Sequence, residues 1–135
     1  MILMECLYTS HEAEDDNVLR QQQALCCRVA HDYGWVITRQ VFEPFLLSKC
    51  EMKDRTGIQT ILDDVRSRRF DLLMVAGMDR ISLFAEETKA FLAEMDLNGI
   101  ALFNAGANRL TLAAGQTQER FITQQITPEN GGDAQ

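Results

Sequence analysis

The stretch DLLMVAGMDRIS, residues 71–82, decides how the rest of the chain is read. Its first part, residues 71–77, is a continuous apolar run bounded by polar residues. A strand with one wet face alternates apolar and polar side chains. An unbroken run marks a strand covered on both faces, as at the centre of a parallel sheet. Parallel strands need helical crossovers, so the segments on either side should alternate strand and helix.

They do. Residues 2–8, ILMECLY, read as a buried strand, and residues 35–42, WVITRQVF, alternate and are rich in β-branched types. Residues 100–104, IALFN, give a fourth strand. Between the first two, Val18, Gln22, Leu25, Val29 and Tyr33 fall on one helical stripe, with Cys26 beside it. Asn17 is placed to cap that helix and Gly34 to stop it in a left-handed C′ position. Ile58, Ile61, Leu62 and Val65 make a second helix; Phe84, Thr88, Phe91, Leu92 and Met95 make a third, ended by Asn98 and Gly99. A weaker stripe, Leu110, Ala114, Thr117 and Phe121, predicts a helix within 106–126, over 108–126. After Pro128 the segment 127–135 is expected to be disordered. The prediction is a three-layer αβα domain over residues 1–105, around a mostly parallel sheet of four or five strands in a 2-1-3-4 type of order.

Composition narrows the function. The chain has 135 residues, enough for one core, and a formal net charge of −7. An acidic domain has no general attraction for nucleic acid, so any DNA contact must come from a local basic site or a partner. No apolar run approaches a bilayer span, and no signal-peptide pattern opens the chain; a cytoplasmic protein is expected. Cys6, Cys26, Cys27 and Cys50 form no C-x-x-C pair and read as free thiols. They do not read as a zinc site.

In open α/β sheets the ligand crevice lies beyond the carboxyl ends of the strands. Ser10 follows the first strand there, and Asp79 and Arg80 follow the third, so topology gathers them. The long loop 43–56 can add Lys49, Lys53 or Arg55 to the same rim. A hydroxyl among cations suits attack on a phosphoryl group: oxygen is the nucleophile and guanidinium stabilises the developing charge. No G-x-x-x-x-G-K-[ST] loop and no G-x-S-x-G elbow is present. His11 adjoins Ser10, but neighbours on an extended chain point to opposite sides. The segment HEAEDD, residues 11–16, reads as a solvated loop or lid, and RSRR, residues 66–69, as a solvated helix end.

At these residues the chain resembles the catalytic domain of the serine recombinases, the resolvase and invertase group, from about Met4 to Asn104. CLYTS places Ser10 where that family has its nucleophile, and NVLRQ places Gln21 at the family's helix-one glutamine. DRTG matches D-R-x-G through Arg55 and Gly57; MDRIS matches L-D-R-[LI]-[SG] through Asp79, Arg80 and Ser82. The resemblance implies DNA cleavage through a 5′-phosphoserine link and strand exchange in a tetramer without metal or nucleotide. Ser10 would be the nucleophile, Arg55 and Arg80 the phosphate ligands, Asp79 an orienter of arginine and Gln21 a shaper of the site. It also implies a homodimer or tetramer, with residues 108–126 as the interface.

Three departures stand out. Tyr8 and Leu83 occupy positions where the family has arginine, and the acid expected after the second strand falls near Pro44, beside Glu43. Each lost charge-assisted contact costs roughly 2–4 kcal/mol of transition-state stabilisation. About 30 residues follow the fourth strand, too few for the family's usual DNA-binding module, so DNA binding by the chain alone should be weak. Catalysis is therefore open between an active recombinase and a silent relative acting as an accessory or regulatory protein. A flavodoxin-like receiver is a third reading, but the chain lacks an acidic cluster at the end of strand one.

Overall fold

The computed structural model describes residues 1–122. Strands are β1 (Leu3–Thr9), β2 (Val36–Glu43), β3 (Leu72–Val75), β4 (Ala101–Asn104) and β5 (Arg109–Thr111). Helices are α1 (Asn17–Tyr33), α2 (Thr56–Arg66), α3 (Ala85–Leu97) and the single turn α4 (Gln118–Phe121). Short 3-10 turns span Met52–Asp54 and Met78–Arg80. The sheet order is β2-β1-β3-β4-β5, the predicted order with one strand added. The first three pairings are parallel and the last antiparallel.

Side-chain period 2 sorts the strands between two cores. Met4, Cys6 and Tyr8 of β1, with Leu72, Met74, Ala101 and Phe103, face the layer of α1. Leu7, with Leu73, Val75 and Leu102, faces the layer of α2 and α3. All four residues of β3 are buried, which is why its sequence shows no alternation. Each Leu, Ile or Phe fully removed from water contributes roughly 1.5–3 kcal/mol. Helix α1 ends at Gly34 in the left-handed region, φ 71°, its N–H donating to the carbonyls of Ala30 and His31. Asn17 is the first helical residue rather than the cap; Asp16 holds the cap position. The four cysteines are free thiols. Among the described residues no helix is long and apolar enough to cross a membrane.

The helix expected over 108–126 is corrected by the structure as far as residue 122. Asn108 turns the chain with φ 53°, and residues 109–111 return antiparallel to β4. Leu110 pairs with Phe103 and is fully buried. Phe121 is buried beneath Trp35, whose indole N–H donates to the Phe121 carbonyl at 2.8 Å. The two largest members of the expected interface stripe thus belong to the domain's own core. Residues 123–126 of that helix and the segment 127–135 lie outside the described residues.

Candidate active site

Strand β1 runs to Thr9, and Ser10 is the first residue beyond it. Backbone bonds fasten Ser10 to the end of β2 and the loop that follows. Its N–H donates to Glu43, and its carbonyl accepts from Leu46 and Leu47. Its Oγ accepts a 2.8 Å hydrogen bond from the Phe45 N–H. Phe45 sits at φ 62°, a left-handed conformation that costs a bulky residue about 1–3 kcal/mol. That cost is met where the resulting N–H points at the serine oxygen, a donor that would stabilise negative charge there. Ser10 is 1% exposed. Beside it opens a cavity of about 350 Å³, lined also by Leu19, Arg20, Phe42 and Phe45.

Arg80 arrives from the turn after β3, as the topology requires. Its Nη1 donates to the Thr9 carbonyl at 3.1 Å, one residue from Ser10. The Thr9 hydroxyl donates in return to the Arg80 carbonyl at 3.0 Å. The guanidinium also takes both oxygens of Glu14, at 2.9 and 3.3 Å. This pairing holds the Glu14 carboxyl below the ordinary carboxylate range, with the Arg80 hydrogen bond as the main cause. Asp79 is exposed and only 3.9 Å from Arg80 Nε, so the close carboxylate partner of Arg80 is Glu14.

Arg55 behaves differently from the expectation of a phosphate ligand. It is 1% exposed. Its Nε and Nη2 donate to one oxygen of Glu43 at 3.1 and 2.7 Å, Nη1 donates to the Ile81 carbonyl, and Nη2 also reaches the Arg80 carbonyl. Its donors are turned inward, binding the end of β2 to the turn that carries Arg80. The other Glu43 oxygen accepts the Ile58 N–H at 2.9 Å, in the first turn of α2. Gly57 makes that approach possible: a Cβ there would lie 2.6 Å from Glu43 Cγ and 2.7 Å from Val41 Cγ1. Within the D-R-x-G match, Arg55 and Gly57 both pack against Glu43.

The glutamine that contacts the end of β1 is Gln22, next to Gln21. Gln21 is exposed, whereas Gln22 is buried and exchanges two hydrogen bonds with the Thr9 backbone, at 3.1 and 2.6 Å. One residue along a helix turns the side chain by about 100°, and Gln22 was the polar member of the buried stripe. Ser82 bonds Glu87, which also accepts from the Met52 N–H, tying this rim to α3. Tyr8 is buried, its hydroxyl donating to Gln40 at 2.8 Å, and Leu83 is 42% exposed. Lys49 and Lys53 are exposed, Lys53 beside Glu51. Among the described residues no group of three or more His, Cys, Asp or Glu side chains is placed to hold a metal ion. Sequence reading missed Glu14, Gln22 and the Phe45 N–H as parts of this cluster. Only Gln22 carried a signal, as a polar residue on an apolar stripe.

The architecture has known counterparts. The N-terminal catalytic domain of the TP901-1 integrase superposes with a TM-score of 0.70 at 15% identity, over 80% of each chain. A resolvase family site-specific recombinase from Streptococcus pneumoniae gives 0.70 at 12% identity, over 90% of this chain and 81% of that one. The C-terminal catalytic domain of an IS607-like serine recombinase gives 0.66 at 13% identity, over 76% and 69%. At these identities the likeness is one of fold. No curated protein matches the sequence. The family described as "Resolvase, N terminal domain" matches residues 8–126, from the end of β1 across the whole cluster just described. The chain belongs to that family, the N-terminal domain of the resolvases.

Proposed function

We propose that the chain is a serine recombinase domain that cleaves and rejoins DNA strands through Ser10. The supporting observation is the Arg80 guanidinium held on the Thr9 carbonyl, one residue from the Ser10 hydroxyl. In the proposed step Ser10 Oγ attacks a backbone phosphorus. The Oγ–P bond forms, the P–O3′ bond breaks, the hydroxyl proton leaves and the freed 3′ oxygen gains one. Rejoining runs the same step in reverse, from another strand's 3′-hydroxyl. Arg80 would neutralise the phosphate, and the Phe45 N–H would stabilise the serine oxygen before attack and on departure. Arg55 is a positioning residue in this account, acting through Glu43 and the turn that bears Arg80. Gln21 and Asp79 receive no role in the step. The working form would be a homodimer or tetramer in the cytoplasm, on DNA held partly by a partner or partner domain.

A second reading has its own support. Tyr8 supplies no charge where the resemblance leads one to expect a cation, and Arg55 is consumed internally. A silent relative, acting by interaction, would keep this fold and lose the chemistry. One assay separates the two. The protein is incubated with supercoiled DNA carrying candidate sites, quenched in detergent, and examined for protein–DNA adducts beside Ser10→Ala. Adducts in the wild type alone support the recombinase. DNA-bound protein that never yields an adduct supports the silent relative.

A further inference from the structure

We propose that Glu14 is the chain's own occupant of the anion site at Arg80, and that a DNA phosphate takes Arg80 only by displacing it. The proposal rests on the reading of Arg80 as a phosphate ligand. Two guanidinium nitrogens face two carboxylate oxygens at 2.9 and 3.3 Å. That fork is the arrangement in which a guanidinium takes two phosphate oxygens. A carboxylate and a phosphodiester each carry one negative charge, so the exchange keeps Arg80 neutralised throughout.

The segment that delivers Glu14 is built to open. It carries Glu12, Glu14, Asp15 and Asp16, of which Glu14 is half-buried and the other three are exposed. Apart from Arg80, the Glu14 carboxylate is held by the His11 N–H at 2.7 Å, within the same segment. The segment is tied across to the next loop by the Glu12 N–H on Ser48 Oγ, at 3.1 Å. A segment held by polar, partly exposed fastenings opens locally at low cost. With Glu14 in place, the Arg80 side chain is 16% exposed. Glu14 therefore keeps Arg80 aimed at Thr9 in the absence of substrate, and competes with phosphate when substrate arrives.

The test compares Glu14→Gln with Glu12→Gln, which removes the same charge from the same loop without touching Arg80. Binding of a fluorescein-labelled DNA duplex is followed by anisotropy at fixed low salt. Glu14→Gln should bind about tenfold more tightly than Glu12→Gln, and the gain should vanish in Glu14→Gln/Arg80→Gln. Equal affinities, or a gain that survives without Arg80, would overturn the proposal. An arm without DNA uses inorganic phosphate as the probe and the Arg80 Nε–Hε resonance as the readout. In Glu14→Gln the resonance should shift and saturate with phosphate; in the wild type it should barely respond. A response as strong in the wild type would also overturn the gate. The two readings fail separately. Phosphate uptake in Glu14→Gln with no Ser10 adduct from any variant leaves the gate and removes the cleavage reading. Adducts forming equally fast in wild type and Glu14→Gln remove the gate and leave the cleavage reading.

Discussion

Replacing Arg55 by methionine tests whether this arginine holds the site together or holds the substrate. The side chain is 1% exposed and its partner Glu43 is 2% exposed, so both charges are out of water. Without the guanidinium, Glu43 keeps a single backbone donor, the Ile58 N–H, and the Ile81 carbonyl loses its Arg55 bond. Breaking one half of a buried pair costs about 3–5 kcal/mol, because a charge is left stranded. A domain of this size holds roughly 5–15 kcal/mol in all, so Arg55→Met should be folded but fragile. Removing the stranded charge as well should restore part of the loss. Glu43→Gln/Arg55→Met is expected to be more stable than Arg55→Met, with a coupling energy of at least about 2 kcal/mol. Urea melts followed by the fluorescence of the single tryptophan, Trp35, buried and stacked 4.9 Å from Tyr33, measure all four corners of the cycle. Arg55→Lys should fall between, since an ammonium can meet Glu43 but cannot span the two carbonyls at once. The reasoning is refuted if Arg55→Met costs less than about 1 kcal/mol and Glu43→Gln brings no rescue.

Two further outcomes follow from the packing. Gly57→Ala should destabilise the domain by about 1–3 kcal/mol, despite alanine's better helix propensity, because the new methyl meets Glu43 and Val41 below contact distance; a thermal melt shows it. Glu5→Gln should flatten the dependence of stability on pH. Burial first, then the neighbouring Asp64, push the Glu5 carboxyl up to about 8. The folded state then holds a proton that the unfolded chain releases near pH 4.5. Glu5 therefore stabilises most below pH 4.5, and that contribution falls as pH rises from there to about 8, at most by about 1.4 kcal/mol per unit. Urea melts across that window should slope downward in the wild type and lose that component in Glu5→Gln.

The parts of the fold that were legible in the sequence are those where a single physical rule acts alone. β3 is covered on both faces and reads as an apolar run. α1 lays one stripe on the sheet and reads at helical spacing. Gly34 stops it because the stop requires a positive φ. β5 was illegible because three residues show no period, and the pairing that makes Arg109–Thr111 a strand comes from β4. Leu110 and Phe121 looked like one helical face only because both are buried, by separate routes. At the site, topology brought Ser10 and Arg80 to one rim. It could not tell which charges pair there. Arg55 has its acid twelve positions back along the chain, in Glu43, and Arg80 has Glu14 sixty-six positions away; such partnerships exist only once the sheet has formed. Gln21 is exposed while its neighbour Gln22 meets the Thr9 backbone, because a motif match aligns sequence without checking the helical face it lands on.

The most direct measurement of the account is the chemical state of Ser10 after contact with DNA. Protein is incubated with supercoiled DNA, quenched, treated with nuclease and cut with trypsin, which releases the peptide of residues 1–20. Mass spectrometry should find a phosphodeoxynucleotide on that peptide, and fragmentation should place it on Ser10 rather than Thr9. An unmodified peptide from protein that had bound the DNA, or an adduct that persists in Ser10→Ala, would contradict the claim that Ser10 is the nucleophile.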